Sequence, residues 1–116
     1  MEEIEEKKEQ LITAAMQIIL YAGNARTFCS QAVDQANDDN FDEADKLMKQ
    51  AKEEITKAHV SQTNIIQDEA RGIEYPHSLL FTHAQDTLMT IKSELNISEK
   101  IIMALRKISF FINDNK

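Results

Sequence analysis

The chain has one proline and two glycines in 116 residues. These residues punctuate turns, so loops should be few and long regular elements should fill the chain. There is a single cysteine, Cys29. That excludes an internal disulfide and suits a reducing compartment. No apolar run approaches the ~18 residues a membrane span requires. The opening Met1-Glu2-Glu3-Ile4-Glu5-Glu6-Lys7 is acidic and lacks the apolar segment of a signal peptide. A cytoplasmic protein without membrane insertion is the expectation. Dense basic stretches are also missing: acidic residues outnumber basic ones 20 to 13, and the formal net charge is -7. Nucleic-acid binders gain much of their affinity by neutralising phosphates with Lys and Arg. Nucleic acid and anionic membrane surfaces are therefore excluded as partners, and a basic protein partner fits better. Gly23 and Gly72 stand alone, so there is no glycine-rich phosphate loop.

What is present is helical periodicity. In a first segment Leu11, Ala15, Ile18, Ala22, Ala25, Cys29, Ala32 and Ala36 alternate spacings of four and three, which is a heptad seam. It should stop in Asn37-Asp38-Asp39-Asn40. Asn40 followed three residues later by Glu43 has the pattern of a capping box for a second helix. The second seam runs Phe41, Ala44, Met48, Ala51, Ile55, Ala58, Gln62 and Ile65. Gly72 and Pro76 bracket the next break, and Ser78 or His77 is placed to cap a third helix. Its seam is Phe81, Ala84, Leu88, Ile91, Leu95, Ser98, Ile102, Leu105, Ser109 and Ile112. One domain spanning 1–116 is expected, all-α, with helices over about 3–37, 41–70 and 78–113. Short connections make neighbours antiparallel, giving a three-helix up-down-up bundle.

The third helix carries more than that bundle needs. At roughly 100° per residue, His83, Asp86, Thr87, Thr90 and Glu94 share one side, away from the core stripe. Ile97, Ile101, Ala104 and Ile108 continue this side, and Phe110 and Phe111 add to it. A helix that is apolar nearly all round is buried on more than one side. Self-association through this helix follows, with the polar patch around His83 at the edge of that interface.

Of the three histidines, His59 adjoins seam residue Ala58 and fits a hydrogen-bonded structural role, while His77 belongs to the loop. His83 sits among polar groups, and a neutral imidazole is a nucleophile at physiological pH. Thr82, Gln85, Thr87 and Thr90 are candidate donors to a phosphate held there. Asp86 would normally be a solvated charge. On a self-associating side, its copies would meet near a symmetry axis and require a cation or a shared proton. Oxygen ligands favour Mg²⁺ or Ca²⁺ over zinc. A di-iron bundle needs Glu-x-x-His on its helices, and the only such pair, Glu74 and His77, is interrupted by Pro76. Met16, Met48, Met89 and Met103 read as core filler.

The run His83-Ala84-Gln85-Asp86-Thr87-Leu88-Met89-Thr90 resembles the His-(Ala/Gly)-Gln-Asp-x-Leu-Met-Thr signature of the lactose/cellobiose class of IIA components of the bacterial sugar phosphotransferase system. Three weaker elements appear in the same order: Ala22-Gly23-Asn24-Ala25-Arg26, Asn40-Phe41-Asp42-Glu43-Ala44 and Ala58-His59-Val60-Ser61-Gln62-Thr63. The likeness covers roughly residues 10 to 110. It implies a homotrimer of three-helix subunits. It implies that His83 accepts phosphate from phospho-HPr and passes it to a cysteine of a IIB component, for uptake of a β-linked disaccharide such as cellobiose, chitobiose or lactose. It also implies one Mg²⁺ per trimer, bound by Asp86 from each subunit. Thr87 departs from the pattern, because many members of the family carry a second histidine there. Two other readings stand beside this one. A histidine phosphotransfer domain of two-component signalling is also a helical bundle, but it places a lysine where this chain has Asp86. A non-catalytic helical oligomerisation module accounts for the heptads but not for the cluster of His83, Gln85 and Asp86.

Overall fold

The computed structural model describes residues 2–115. Those residues form three helices: α1 over Glu2–Asn37, α2 over Phe41–Ala70 and α3 over Leu79–Asp114. The bundle is a rod with extents of 72 × 20 × 18 Å. Each seam residue of α1 named above is buried. Five of the eight are alanines, so α2 and α3 both come close to the α1 backbone. α1 packs along its length against each of the others, whereas α2 and α3 meet far less.

Side-chain pairs fix the registers. Gln17 accepts from the Ser61 hydroxyl at 3.1 Å, and Asn24 donates to Glu54 at 3.4 Å, so α1 and α2 run antiparallel. Arg26 on α1 meets Glu94 on α3, 68 residues on. α2 and α3 run antiparallel too, since Lys52 meets Glu99 and Asp45 meets Arg106, so α1 and α3 run parallel, with Arg26 level with Glu94. Ion pairs at the surface, Lys52 with Glu99 and Arg106 with Asp45, bridge α2 and α3.

The two turns are built differently. Between α1 and α2, Asp39 takes a left-handed backbone (φ 64°), a conformation that Asp adopts more readily than most residues. The expected capping box does not form. Asn40 has φ -93° and ψ 68° and no side-chain cap bond. Its amide donates instead to Gln35 Oε1 at 3.0 Å, and the Asn40 backbone N–H donates to the Gln35 carbonyl at 2.8 Å. After α2, Gly72 (φ 90°) ends the helix, with the Ile73 N–H returning to the Asp68 carbonyl at 3.0 Å in a Schellman pattern. Ser78, not His77, caps α3: its hydroxyl oxygen accepts from the Phe81 N–H at 3.1 Å. Tyr75 ties the intervening loop down, donating its hydroxyl to Asp68 at 2.6 Å. Burial, reinforced by the neighbouring carboxylate, pushes that hydroxyl up to about 12, so it stays a donor.

The methionines correct the sequence reading. Met48 is buried, but Met16, Met89 and Met103 are each more than half exposed. They stand off the seams, where the bundle has no neighbour to offer them. Phe41 is only half-buried and lies under the Arg106 guanidinium, 4.8 Å from the ring centroid. Ile112 is exposed, because α3 extends past the ends of the other two helices.

Candidate functional site

His83 lies in the second turn of α3, on an exposed surface near one end of the rod. Its position follows from the cap. Ser78 starts the helix, and Phe81 and Ala84 turn inward to the core. Residue 83 is thereby left on the outer side. Asp86 and Thr90, also exposed, share that side. Thr87 is half-buried, and its hydroxyl donates to the His83 carbonyl at 2.9 Å. Thr82 does the same to the Ser78 carbonyl at 3.1 Å. Two of the four candidate phosphate donors thus spend their protons on the helix backbone, a habit of threonine inside helices.

Gln85 is the third, and it points elsewhere. Two residues along a helix is about 200° around it, so Gln85 faces α2 and not His83. There its Oε1 accepts from Gln62 Nε2 at 3.2 Å. Gln62, 8% exposed, is the one buried polar side chain among the described residues. This pair satisfies a buried amide and latches α2 to α3 where apolar contact is sparse. It also removes Gln62 from His59, which is exposed and does not have the structural role the sequence suggested. His77 is likewise exposed, in the loop.

Glu94, the last member of the polar stripe, belongs to a pair. The Arg26 Nε and Nη2 both donate to it at 2.8 Å, and this bond raises the guanidinium further above its usual range. Sequence reading placed Arg26 in a motif but gave it no task. Its signal was its position on the edge of α1 that faces α3. With Glu94 and the Thr82 and Thr87 hydroxyls committed, the open functional groups on the outer face are the His83 imidazole, the Asp86 carboxylate and the Thr90 hydroxyl. Cys29 offers no alternative nucleophile. It is buried, and that burial pushes its thiol up and away from the reactive thiolate.

On this face the chain offers a metal only the single open carboxylate of Asp86. No group of three or more His, Cys, Asp or Glu residues among the described residues could hold an ion. A hard oxygen ligand of this kind suits Mg²⁺, but a ligand shell of protein oxygens needs more than one copy of the chain.

An all-helical bundle with an open imidazole on the outer surface of one helix has the form of a protein that passes a group to other proteins. Residues 13–106 match the family model for the lactose/cellobiose-specific IIA subunit of the phosphotransferase system, and the chain belongs to that family of phosphocarrier components. It is 39% identical over 104 residues to the lichenan-specific phosphotransferase enzyme IIA component of Bacillus subtilis, covering 90% of this chain and 92% of that one. It is 34% identical over 101 residues to the lactose-specific IIA component of Lacticaseibacillus casei, covering 87% and 90%. Among solved structures, the cellobiose-specific enzyme IIA of Bacillus anthracis superposes with a TM-score of 0.81 at 38% identity, covering 85% of this chain and 91% of that one. The IIA(chitobiose) protein of Escherichia coli, solved in complex with HPr, superposes with a TM-score of 0.75 at 29% identity, covering 85% and 96%.

Proposed function

We propose that this chain carries phosphate on His83, taking it from phospho-HPr and giving it to a cysteine of a IIB component of a β-disaccharide transport system. The observation that carries this reading is the exposed His83 imidazole, set by the Ser78 cap on the outer face of α3 inside the His-Ala-Gln-Asp signature. The HPr complex of the E. coli chitobiose relative supports the choice of donor. In the first transfer a lone pair on an imidazole nitrogen of His83 attacks the phosphorus of the donor's phosphohistidine. A new N–P bond forms as the donor's N–P bond breaks, and the donor imidazole leaves. In the second, a cysteine sulfur attacks, an S–P bond forms, and His83 leaves as imidazole. An exposed site suits this traffic, because two different proteins must reach the same nitrogen. Among the described residues no helix is long and apolar enough to cross a membrane.

The assembly proposed is a homotrimer about the outer face of α3. Ile97, Ile101 and Ile108, all exposed in the single chain, supply its apolar contact. Asp86 from three copies would hold one Mg²⁺, which offsets the mutual repulsion of three close carboxylates. The test of the carrier is direct. Incubated with phospho-HPr, the protein should gain an acid-labile phosphate. His83→Ala should fold with an unchanged melting midpoint and gain none. Full labelling of His83→Ala, with loss in His59→Ala or His77→Ala instead, would overturn the assignment.

A further inference from the structure

Gln62 interrupts the apolar seam of α2. Ala58 and Ile65 on either side of it are buried, and so is Gln62 itself. A leucine there would bury more apolar surface and leave no amide to satisfy. The amide instead donates through Nε2 to Gln85 Oε1 at 3.2 Å. A polar residue at a seam position gives up stability and specifies one alignment of the helices. Apolar side chains tolerate small shifts past one another, whereas a hydrogen bond weakens steeply once it is bent.

The bond lies where α3 has little else of its kind. α2 and α3 touch sparsely. Among the described residues, no other hydrogen bond joins them before the pair of Lys52 and Glu99, about 21 Å further along α3. The Arg26–Glu94 pair that ties α3 to α1 is about 14 Å further along. Gln85 stands between His83 and Asp86 in the chain, so the bond, the imidazole and the carboxylate all belong to one turn of α3. A rotation of that turn by about 10° would swing groups about 6 Å from the helix axis by about 1 Å. A misplacement of that size costs a group transfer about 100-fold.

We infer that Gln62 is a positioning residue for phosphoryl transfer: through Gln85 it fixes the rotation of the turn that presents His83, without touching the imidazole. The inference rests on the carrier reading proposed above. It extends the site to a buried residue on another helix, reached through the side of α3 that faces away from His83.

The test is single-turnover phosphate uptake from phospho-HPr by the full chain, unmodified and as Gln62→Leu, Gln85→Leu and Gln85→Glu. Gln62→Leu puts an apolar group in a buried seam and should hold or raise the melting midpoint. It should nonetheless lower the maximal uptake rate about tenfold or more, with the half-saturating phospho-HPr concentration unchanged. Gln85→Leu strands the buried Gln62 amide, so its midpoint should fall, while its rate matches that of Gln62→Leu. Gln85→Glu keeps an acceptor for that amide and should restore the rate. Two variants of different stability with the same slowed rate separate positioning from packing. If the rate follows the midpoint instead, or Gln62→Leu takes phosphate at the unmodified rate, the inference is wrong and the carrier reading stands. An effect confined to the half-saturating concentration would place Gln62 in docking and overturn it as well. If the unmodified protein takes up no phosphate, both readings fall.

Discussion

The two halves of α3 follow the same helical path and do different work. On the outer face, residues 83 to 94 are polar: a histidine, a carboxylate, two threonines and a glutamate already bound by Arg26. From Ile97 onward the same face is isoleucine and alanine, with Ile97, Ile101 and Ile108 each at least two-fifths exposed in the single chain. The inner face stays buried from Phe81 through Leu88, Ile91 and Leu95 to Ile102, and opens only beyond it, with Leu105 half-buried and Ile112 exposed. One helix thus separates two tasks along its length. Its first half exposes polar groups, and its second half exposes apolar surface, which the proposed trimer would remove from water.

The sharpest way to break this contrast is to make the second half resemble the first. Ile101→Lys would bury an ammonium at the proposed trimer centre, at several kcal/mol unless the subunits part. Light scattering should then give a monomer mass, with helicity retained. A trimer mass for Ile101→Lys would mean that the apolar half is not the interface. A smaller effect is expected within the polar half. Three carboxylates meeting at Asp86 repel, and a cation offsets that repulsion. EDTA should therefore lower the melting midpoint of the unmodified protein and leave that of Asp86→Asn unmoved. An equal response in both would remove Asp86 from the metal. The smallest effect belongs to Glu94, which lies in the polar half but is tied to α1. Arg26→Ala should cost about 0.5–1 kcal/mol of stability, as exposed pairs do, and leave phosphate uptake at its normal rate. A large loss of uptake would show that the pair serves the site.

Most of the architecture was legible because heptad spacing is a property of the sequence alone. Every α1 seam residue read from the spacing is buried, as is the run from Phe81 to Leu95. Other features depend on which helix lies alongside, and sequence spacing says nothing about that. Glu94 was read as part of the open polar stripe, but the α1–α3 register puts Arg26 against it. Gln85 was read as a neighbour of His83, but Gln62 draws it to the opposite side of the helix. The box expected from Asn40 and Glu43 was a local pattern overruled by another local contact, with Gln35. His83 itself was legible from its signature. The commitment of the Thr82 and Thr87 hydroxyls was not, since a threonine's choice between helix carbonyl and solvent leaves no trace in residue spacing.

The unequal packing of the three helices has a mechanical consequence. α1 is the spine of a book, and α2 and α3 are two leaves that lean on it and only lightly on each other. The leaves are held together by surface ion pairs and by the Gln62–Gln85 latch. Stretching α1 or sliding it lengthwise would disturb the whole core, whereas changing the angle between the leaves disturbs only that thin set of polar contacts. The softest motion of the rod is therefore a slight opening and closing about α1. Because His83 rides on one leaf, two residues from the latch, that motion would carry the proposed phosphate-bearing imidazole with it.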